Sequence, residues 1–279
     1  MAELKILKVF NNNSIAAISD ELGDIILTGS GIGFQKKIGD LVDESKIEKT
    51  YLFKDEQKKR FEQSIAEVPA VYFEIANKIV AKASKDLETD FSGEIFTAIS
   101  DHLSFAVKRK KEHVYLPNII LNETKTLYKK EYQVGLWALD YIEKKIGIRL
   151  DDDEAGYLAL HLVNFSFNDK ANNAIRIVTL TKEVLNVIKT TMKIELEEDS
   201  IGYARISIHL KYLAERIFSN EEVNFEDTTS DIRDMLKENA RLALCINRIV
   251  KLIKDRYDYT LSPDEQTYLC IHIKRNTAL

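Results

Sequence analysis

The pattern of apolar positions changes character along the chain. In the first 55 residues hydrophobics come in short β-branched and aromatic runs: Ile6-Leu7-Lys8-Val9-Phe10, Ser14-Ile15-Ala16-Ala17-Ile18 and Asp24-Ile25-Ile26-Leu27-Thr28. Such runs predict strands. Asn11-Asn12-Asn13 lies between the first two, and asparagine suits a turn because it tolerates positive φ and bonds its own backbone. Asp20-Glu21-Leu22-Gly23 makes the next turn. A glycine-punctuated loop follows, Gly29-Ser30-Gly31-Ile32-Gly33, then Phe34-Gln35-Lys36-Lys37, and a last strand is expected within Ile47–Leu52. Four strands in so short a segment bury little apolar surface alone, so this piece is expected to pair with a second copy.

Residues 54–63 (KDEQKKRFEQ) are charged and read as a linker into helix. From Ile65 onward apolar residues recur at helical spacing, as at Val71, Ile75, Ile79 and Val80. A second polar, turn-prone stretch, Asn168-Asp169-Lys170-Ala171-Asn172-Asn173, interrupts that periodicity before it resumes. The expected organisation is multidomain: a small all-β domain over 1–55, then two all-α helical bundles over 65–170 and 172–279.

The two helical segments repeat one another. Asp153-Glu154-x-x-Tyr157-Leu158-x-Leu160-His161-Leu162 matches Asp264-Glu265-x-x-Tyr268-Leu269-x-Ile271-His272-Ile273, and His102-Leu103-Ser104-Phe105-Ala106 pairs more loosely with His209-Leu210-Lys211-Tyr212-Leu213. The shifts are 107 residues (209 − 102) and 111 (272 − 161), so a two-copy duplication organises most of the chain. The helix carrying His272 has a readable start. Ser262-Pro263-Asp264-Glu265 places Ser at the N-cap, Pro at the first helical position and Glu two residues later, a capping box. Asp151-Asp152-Asp153-Glu154 supplies first-turn acids in the same place.

Composition narrows the function classes. With 10 Gly and 3 Pro in 279 residues, a turn-rich all-β fold throughout is excluded. The net charge is −5, and residues 1–55 carry seven lysines against nine acids, so no bulk basic field argues for nucleic acid. Any such partner must be read from specific residues. Cys245 and Cys270 sit in apolar helical contexts, as buried reduced thiols do. No signal peptide and no run of about 18 apolar residues is present, so a cytoplasmic protein without membrane insertion is expected.

Four of the five histidines, His102, His161, His209 and His272, occupy two equivalent positions in two repeats. A single histidine in an apolar setting is most simply a satisfied structural residue. Random histidines would not follow a repeat. Metal binding would call for closer ligand spacing or supporting cysteines, and no nucleophile motif suggests hydrolysis; no metal, cofactor or enzyme activity is expected. Phosphorylation fits best. A neutral imidazole nitrogen is nucleophilic near pH 7, and the added phosphoryl group brings roughly −1.5 to −2 charges. His113, in the charged stretch KRKKEHVY, has no counterpart and reads as solvated surface.

The chain resembles the bacterial antiterminators of sugar-utilisation operons, the β-glucoside and sucrose regulators among them. The resemblance rests on Lys8-Val9-Phe10-Asn11-Asn12-Asn13, Gly29-x-Gly31-Ile32-Gly33-Phe34-Gln35-Lys36-Lys37, Ile47-Glu48-Lys49, Asp101-His102-Leu103-Ser104-Phe105-Ala106, Leu160-His161-Leu162-Val163-Asn164, His209-Leu210 and Tyr268-Leu269-x-Ile271-His272, end to end and in order. It implies a dimeric N-terminal domain gripping an RNA hairpin that overlaps a terminator, and two regulatory domains phosphorylated on histidine by the sugar phosphotransferase system. It further implies that a sugar permease inhibits through the first module and the phosphocarrier HPr activates through the second.

RNA-contact roles then fall on Lys8, Asn13, Gly29, Ser30, Phe34 and Gln35. Phe34 can stack on an unpaired base, Asn13 can read base edges, and Gly29 lets the backbone approach closely. Each also has a plainer reading: Phe34 as core, Asn13 as a turn residue, Gly29 as a positive-φ position. Ser30 stands where many members carry Arg or Lys, which weakens the expected phosphate contact and is more like the sucrose-type regulators. Two rival functions stay open. A phosphorelay transferase would need an activating base and a phosphate-stabilising site. A histidine-phosphorylated DNA-binding activator would need a helical N-terminus.

Overall fold

A computed structural model describes residues 4–19, 23–52, 68–166, 173–219 and 239–276. The expected linker at 54–63, the turn residues 20–22 and most of the polar stretch 168–173 lie outside them. The N-terminal strands are β1 (Lys5–Asn11), β2 (Ser14–Ser19), β3 (Gly23–Thr28) and β4 (Lys49–Leu52). They form one antiparallel sheet in the order β1-β2-β3-β4. Every expected strand is present, and the asparagine turn joins β1 to β2 with Asn11 facing Ser14.

Because successive strand residues point to opposite faces, each strand serves two layers. Ile6, Ile15, Ala17, Ile25 and Leu27 gather with Ile32 of the glycine loop into one small core. The neighbouring positions Phe10, Ala16, Ile26 and Tyr51 are buried on the other side. Short strands were expected to need a second copy for burial; here part of that cover comes from the chain itself. The cover is α1 (Ala70–Leu87) and α2 (Glu94–Lys111). Phe10 stacks on Phe73 with ring centroids 4.4 Å apart, Tyr51 meets Phe96 edge-on at 4.4 Å, and Asn77 donates to Ser14 Oγ at 2.6 Å.

Contacts divide the chain into two compact units, residues 1–118 with 130–172, and residues 119–129 with 173–279. The first holds the sheet, α1, α2, α4 (Lys129–Ile146) and α5 (Asp152–Asn164). The second holds α3 (Leu121–Leu127), α6 (Ala174–Met192), α7 (Ile201–Ser219), α8 (Ala240–Tyr257) and α9 (Pro263–Asn276). Within it α3 lies against α6 and α7, and Tyr203 donates its hydroxyl to Glu123 at 3.3 Å. Cys245 and Cys270 are buried free thiols among the apolar residues of this unit, as expected.

The duplication is visible in the backbone as well as in the side chains. Helices α1 and α6 both end on left-handed residues, Glu88 (φ 52°) and Lys193 (φ 56°), and α4 and α8 do the same at Gly147 (φ 71°) and Asp258 (φ 51°). The second pair is separated by the same 111 residues (258 − 147) that separate His161 from His272. Helix ends close this way because a left-handed residue lets its own N–H reach back to the last carbonyls.

The capping box at α9 forms as read. Glu265 N–H donates to Ser262 Oγ at 3.2 Å, and Ser262 N–H donates to Glu265 Oε2 at 2.9 Å. Ser262→Ala is expected to lower stability by about 1 kcal/mol in urea denaturation. An unchanged midpoint would show that Pro263 and the Tyr259–Glu265 hydrogen bond suffice to start the helix.

Candidate functional site

The glycine loop and the β1–β2 turn are built into one surface at the end of the sheet. Gly29 N–H donates to the Asn13 carbonyl at 3.0 Å, and Gly31 N–H donates to Asn13 Oδ1 at 2.9 Å. Gly33 N–H reaches the Asn12 carbonyl at 2.9 Å, and Ser30 N–H donates to Glu48 Oε1 at 3.0 Å. Asn13 is thus both a turn residue and the clamp that holds the loop. Gly29 does not occupy a left-handed conformation, so that reading of it is corrected. A Cβ there would lie 1.7 Å from the Lys46 carbonyl oxygen, and close backbone packing is what demands glycine.

Phe34 leaves this loop with more than half of its surface in solvent (54%), which rules out the core reading. Gln35 follows it, also exposed, on a left-handed backbone (φ 57°). Asn13, Gly29, Ser30, Phe34 and Gln35 therefore come together. Lys8 does not join them. Its ammonium donates to the Val68 carbonyl at 3.0 Å and lies 5.5 Å over the Phe73 ring, under α1, where burial lowers its pKa.

The four histidines come together as two pairs on corresponding helices: His102 on α2 with His161 on α5, and His209 on α7 with His272 on α9. The ring centroids are 5.2 Å apart at 61° in the first pair and 3.4 Å apart at 29° in the second. His113 is exposed, as read.

Each pair is enclosed by residues that repeat with it. In the first, His102 Nε2 lies 2.8 Å from Glu154 Oε2, a charge contact lying off the line of a good hydrogen bond. Arg109 Nη2 holds the other oxygen at 2.9 Å. Burial alone would push the Glu154 carboxyl up; His102 and Arg109 outweigh it and hold the group below the usual carboxylate range. In the second, His209 Nδ1 is 2.6 Å from the Tyr268 hydroxyl, and Arg216 Nε is 3.9 Å from Glu265 Oε1. The two modules thus engage opposite nitrogens of their first histidine.

Burial, with the neighbouring His102 adding to it, pushes the His161 imidazolium down to about 3. Burial and then His209 and Arg275 push His272 down to about 4, and burial lowers His209 too. These rings are neutral at pH 7, the form in which imidazole is a nucleophile. Arg109, Glu154 and Tyr157, whose ring lies 5.7 Å from that of His102, and their counterparts Arg216, Glu265 and Tyr268 were given no part in the histidine sites from sequence. The signal was there: the same two shifts relate them, 107 for the arginines (216 − 109) and 111 for the others (265 − 154).

Among the described residues no helix is long and apolar enough to cross a membrane, and no group of three or more His, Cys, Asp or Glu is placed to hold a metal ion.

Comparison with known proteins agrees with this arrangement. Residues 4–60 match the CAT RNA binding domain, and residues 77–165 and 182–276 each match the PRD domain. The chain is 35% identical over 274 residues to the transcription antiterminator LicT of Bacillus subtilis, covering 98% of both chains. It is 34% identical to the β-glucoside operon antiterminator of Dickeya chrysanthemi, over 98% of this chain and 96% of that one. It is 30% identical to the GlcA/glcB genes antiterminator of Staphylococcus carnosus, over 99% and 97%. A β domain with an RNA-binding match, two helical domains with duplicated histidine pairs and end-to-end identity at this level place the chain in the family of transcription antiterminators that join a CAT RNA binding domain to two PRD regulatory domains.

Proposed function

We propose that this chain prevents terminator formation in a sugar-utilisation transcript by gripping an RNA hairpin in the leader, under control of histidine phosphorylation. The acting form is a homodimer in the cytoplasm. Residues 1–55 supply the RNA surface through Asn13, Gly29, Ser30, Phe34 and Gln35, with Lys8 joining if α1 releases it. Residues 65–170 and 172–279 are the two regulatory modules. A sugar permease of the phosphotransferase system phosphorylates the first to inhibit, and the phosphocarrier HPr phosphorylates the second to activate.

The observation that carries the regulatory half is the pairing of the four histidine rings in two equivalent sites. A doubly charged group placed at an interface is costly unless donors meet it, so one chemistry can have opposite signs at two interfaces. His209→Asp with His272→Asp is expected to raise dimer fraction or RNA affinity, and His102→Asp with His161→Asp to lower it. Sedimentation beside an RNA titration at fixed salt measures both, since RNA affinity depends on ionic strength. If both double variants behave as wild type, the histidines are structural and the regulatory reading fails.

A further inference from the structure

Each histidine pair has an arginine built beside it at an invariant spacing. Arg109 follows His102 by seven residues on α2, and Arg216 follows His209 by seven on α7. Seven residues is two helical turns, so arginine and histidine share a face, and a long side chain reaches back along it. In the first module they converge on one carboxylate: Glu154 gives one oxygen to His102 Nε2 and the other to Arg109. All three side chains are largely buried, at 14%, 25% and 9% side-chain exposure. In the second module Arg216 lies 5.5 Å over the ring of Tyr268, the residue that holds His209 Nδ1, and 3.9 Å from Glu265.

We propose that Arg109 and Arg216 are the side chains that receive the phosphoryl group when their histidine is phosphorylated on Nε2, and that Glu154 is the gate that must let go first. This rests on the reading that the histidines are phosphorylated. A phosphoryl group carries roughly two negative charges and three acceptor oxygens, and a guanidinium is the best-matched partner for it. The same charge placed against Glu154 is repelled. Phosphorylation of His102 therefore exchanges partners: Glu154 leaves Nε2, and Arg109 passes from the carboxylate to the phosphate.

The transfer balances without any further reagent. The lone pair of His102 Nε2, bare of its proton once Glu154 has let go, forms the new P–N bond, and the P–N bond of the donor, a phosphohistidine on a carrier protein, breaks with its electron pair returning to the donor ring. The proton on the second nitrogen of His102 passes to solvent, and the donor ring takes one up. In the second module no such exchange is needed. Tyr268 holds Nδ1 rather than Nε2, and Glu265 is committed to Ser262 N–H and the Tyr259 hydroxyl. The second module is accordingly the readier acceptor.

The test uses the full chain with phosphoramidate as donor, which loses ammonia as its P–N bond breaks, and follows phosphate on His102 by mass spectrometry and phosphorus NMR. Arg109→Gln is expected to slow uptake at His102 about tenfold, the loss of one charge-assisted contact. Glu154→Gln is expected to speed it, and Arg109→Lys to restore part of the rate. Opposite signs for the two Gln variants are the signature, because residues that only hold the fold would depress uptake alike; circular dichroism confirms that each variant is folded. Wild-type uptake with Arg109→Gln indistinguishable from it, or with both Gln variants falling together, overturns the assignment of Arg109 and Glu154. No phosphate on any histidine of the wild-type chain overturns the phosphorylation reading instead.

Discussion

Phe34→Ala is expected to weaken binding of an RNA hairpin by about 1–3 kcal/mol while leaving the thermal melt of the protein unchanged. The expectation follows from where the ring sits. Phe34 is 54% exposed at the tip of a loop whose backbone is fixed by Asn12, Asn13 and Glu48, so the ring is presented to solvent by a rigid support. An exposed aromatic on a rigid loop gains little for the fold and offers a face on which an unpaired base can stack. Ile32, two residues earlier in the same loop, is fully buried in the small core of the sheet. Ile32→Ala should therefore lose both folding and binding, whereas Phe34→Ala loses binding alone. Titration by fluorescence anisotropy at fixed salt, beside a circular dichroism melt, separates the two. A melt of Phe34→Ala that falls with that of Ile32→Ala would make the ring structural.

Stability should fall steeply as pH drops from 7 to 5, and the fall should come largely from His161 and His272. Their folded values, about 3 and about 4, lie below the ordinary histidine value of 6.5. Through that window the unfolded chain binds protons that the folded chain does not. The stabilisation is complete above the unfolded value and is lost as pH falls toward the folded one. Two pH units are worth about 1–2 kcal/mol for each ring after allowing for its partial exposure. Glu154 acts in the same direction, since His102 and Arg109 hold its carboxyl below the usual range, but its loss begins at lower pH. His161→Gln with His272→Gln should flatten the dependence between pH 5 and 7 in denaturant titrations read at each pH. A double variant with the wild-type slope would place the titrating groups elsewhere.

The duplication, the helical register and the histidine positions were legible in the linear order. Periodicity of apolar residues is a local property, and a repeat carries each side chain to the corresponding helix whatever the final packing. The capping box at Ser262 was legible for the same reason, since it closes within four residues. Strand runs and the asparagine turn were equally local, and all four strands form where the short apolar runs lie. The proposed RNA surface came only from the resemblance, because residues 1–55 are net acidic and no charge pattern marks it.

Only the tertiary structure could decide what faces what. Phe34 and Phe10 are both aromatics of the β segment; one is exposed on a loop and the other stacks on Phe73, a residue 63 positions away (73 − 10). Lys8 matched the RNA-contact pattern, yet the fold sets it beneath α1. Gly29 is required by a carbonyl of Lys46, seventeen residues on (46 − 29), which no local rule for glycine could supply. His102 and His161 are 59 residues apart (161 − 102) and meet because α2 packs on α5, and that packing also delivers Glu154 to Nε2 and to Arg109. By itself the sequence determined the elements, their repetition and the histidines each repeat carries, since these depend on neighbours along the chain. Which nitrogen of each histidine is engaged, and by what, depends on groups brought from distant segments, and only packing brings them.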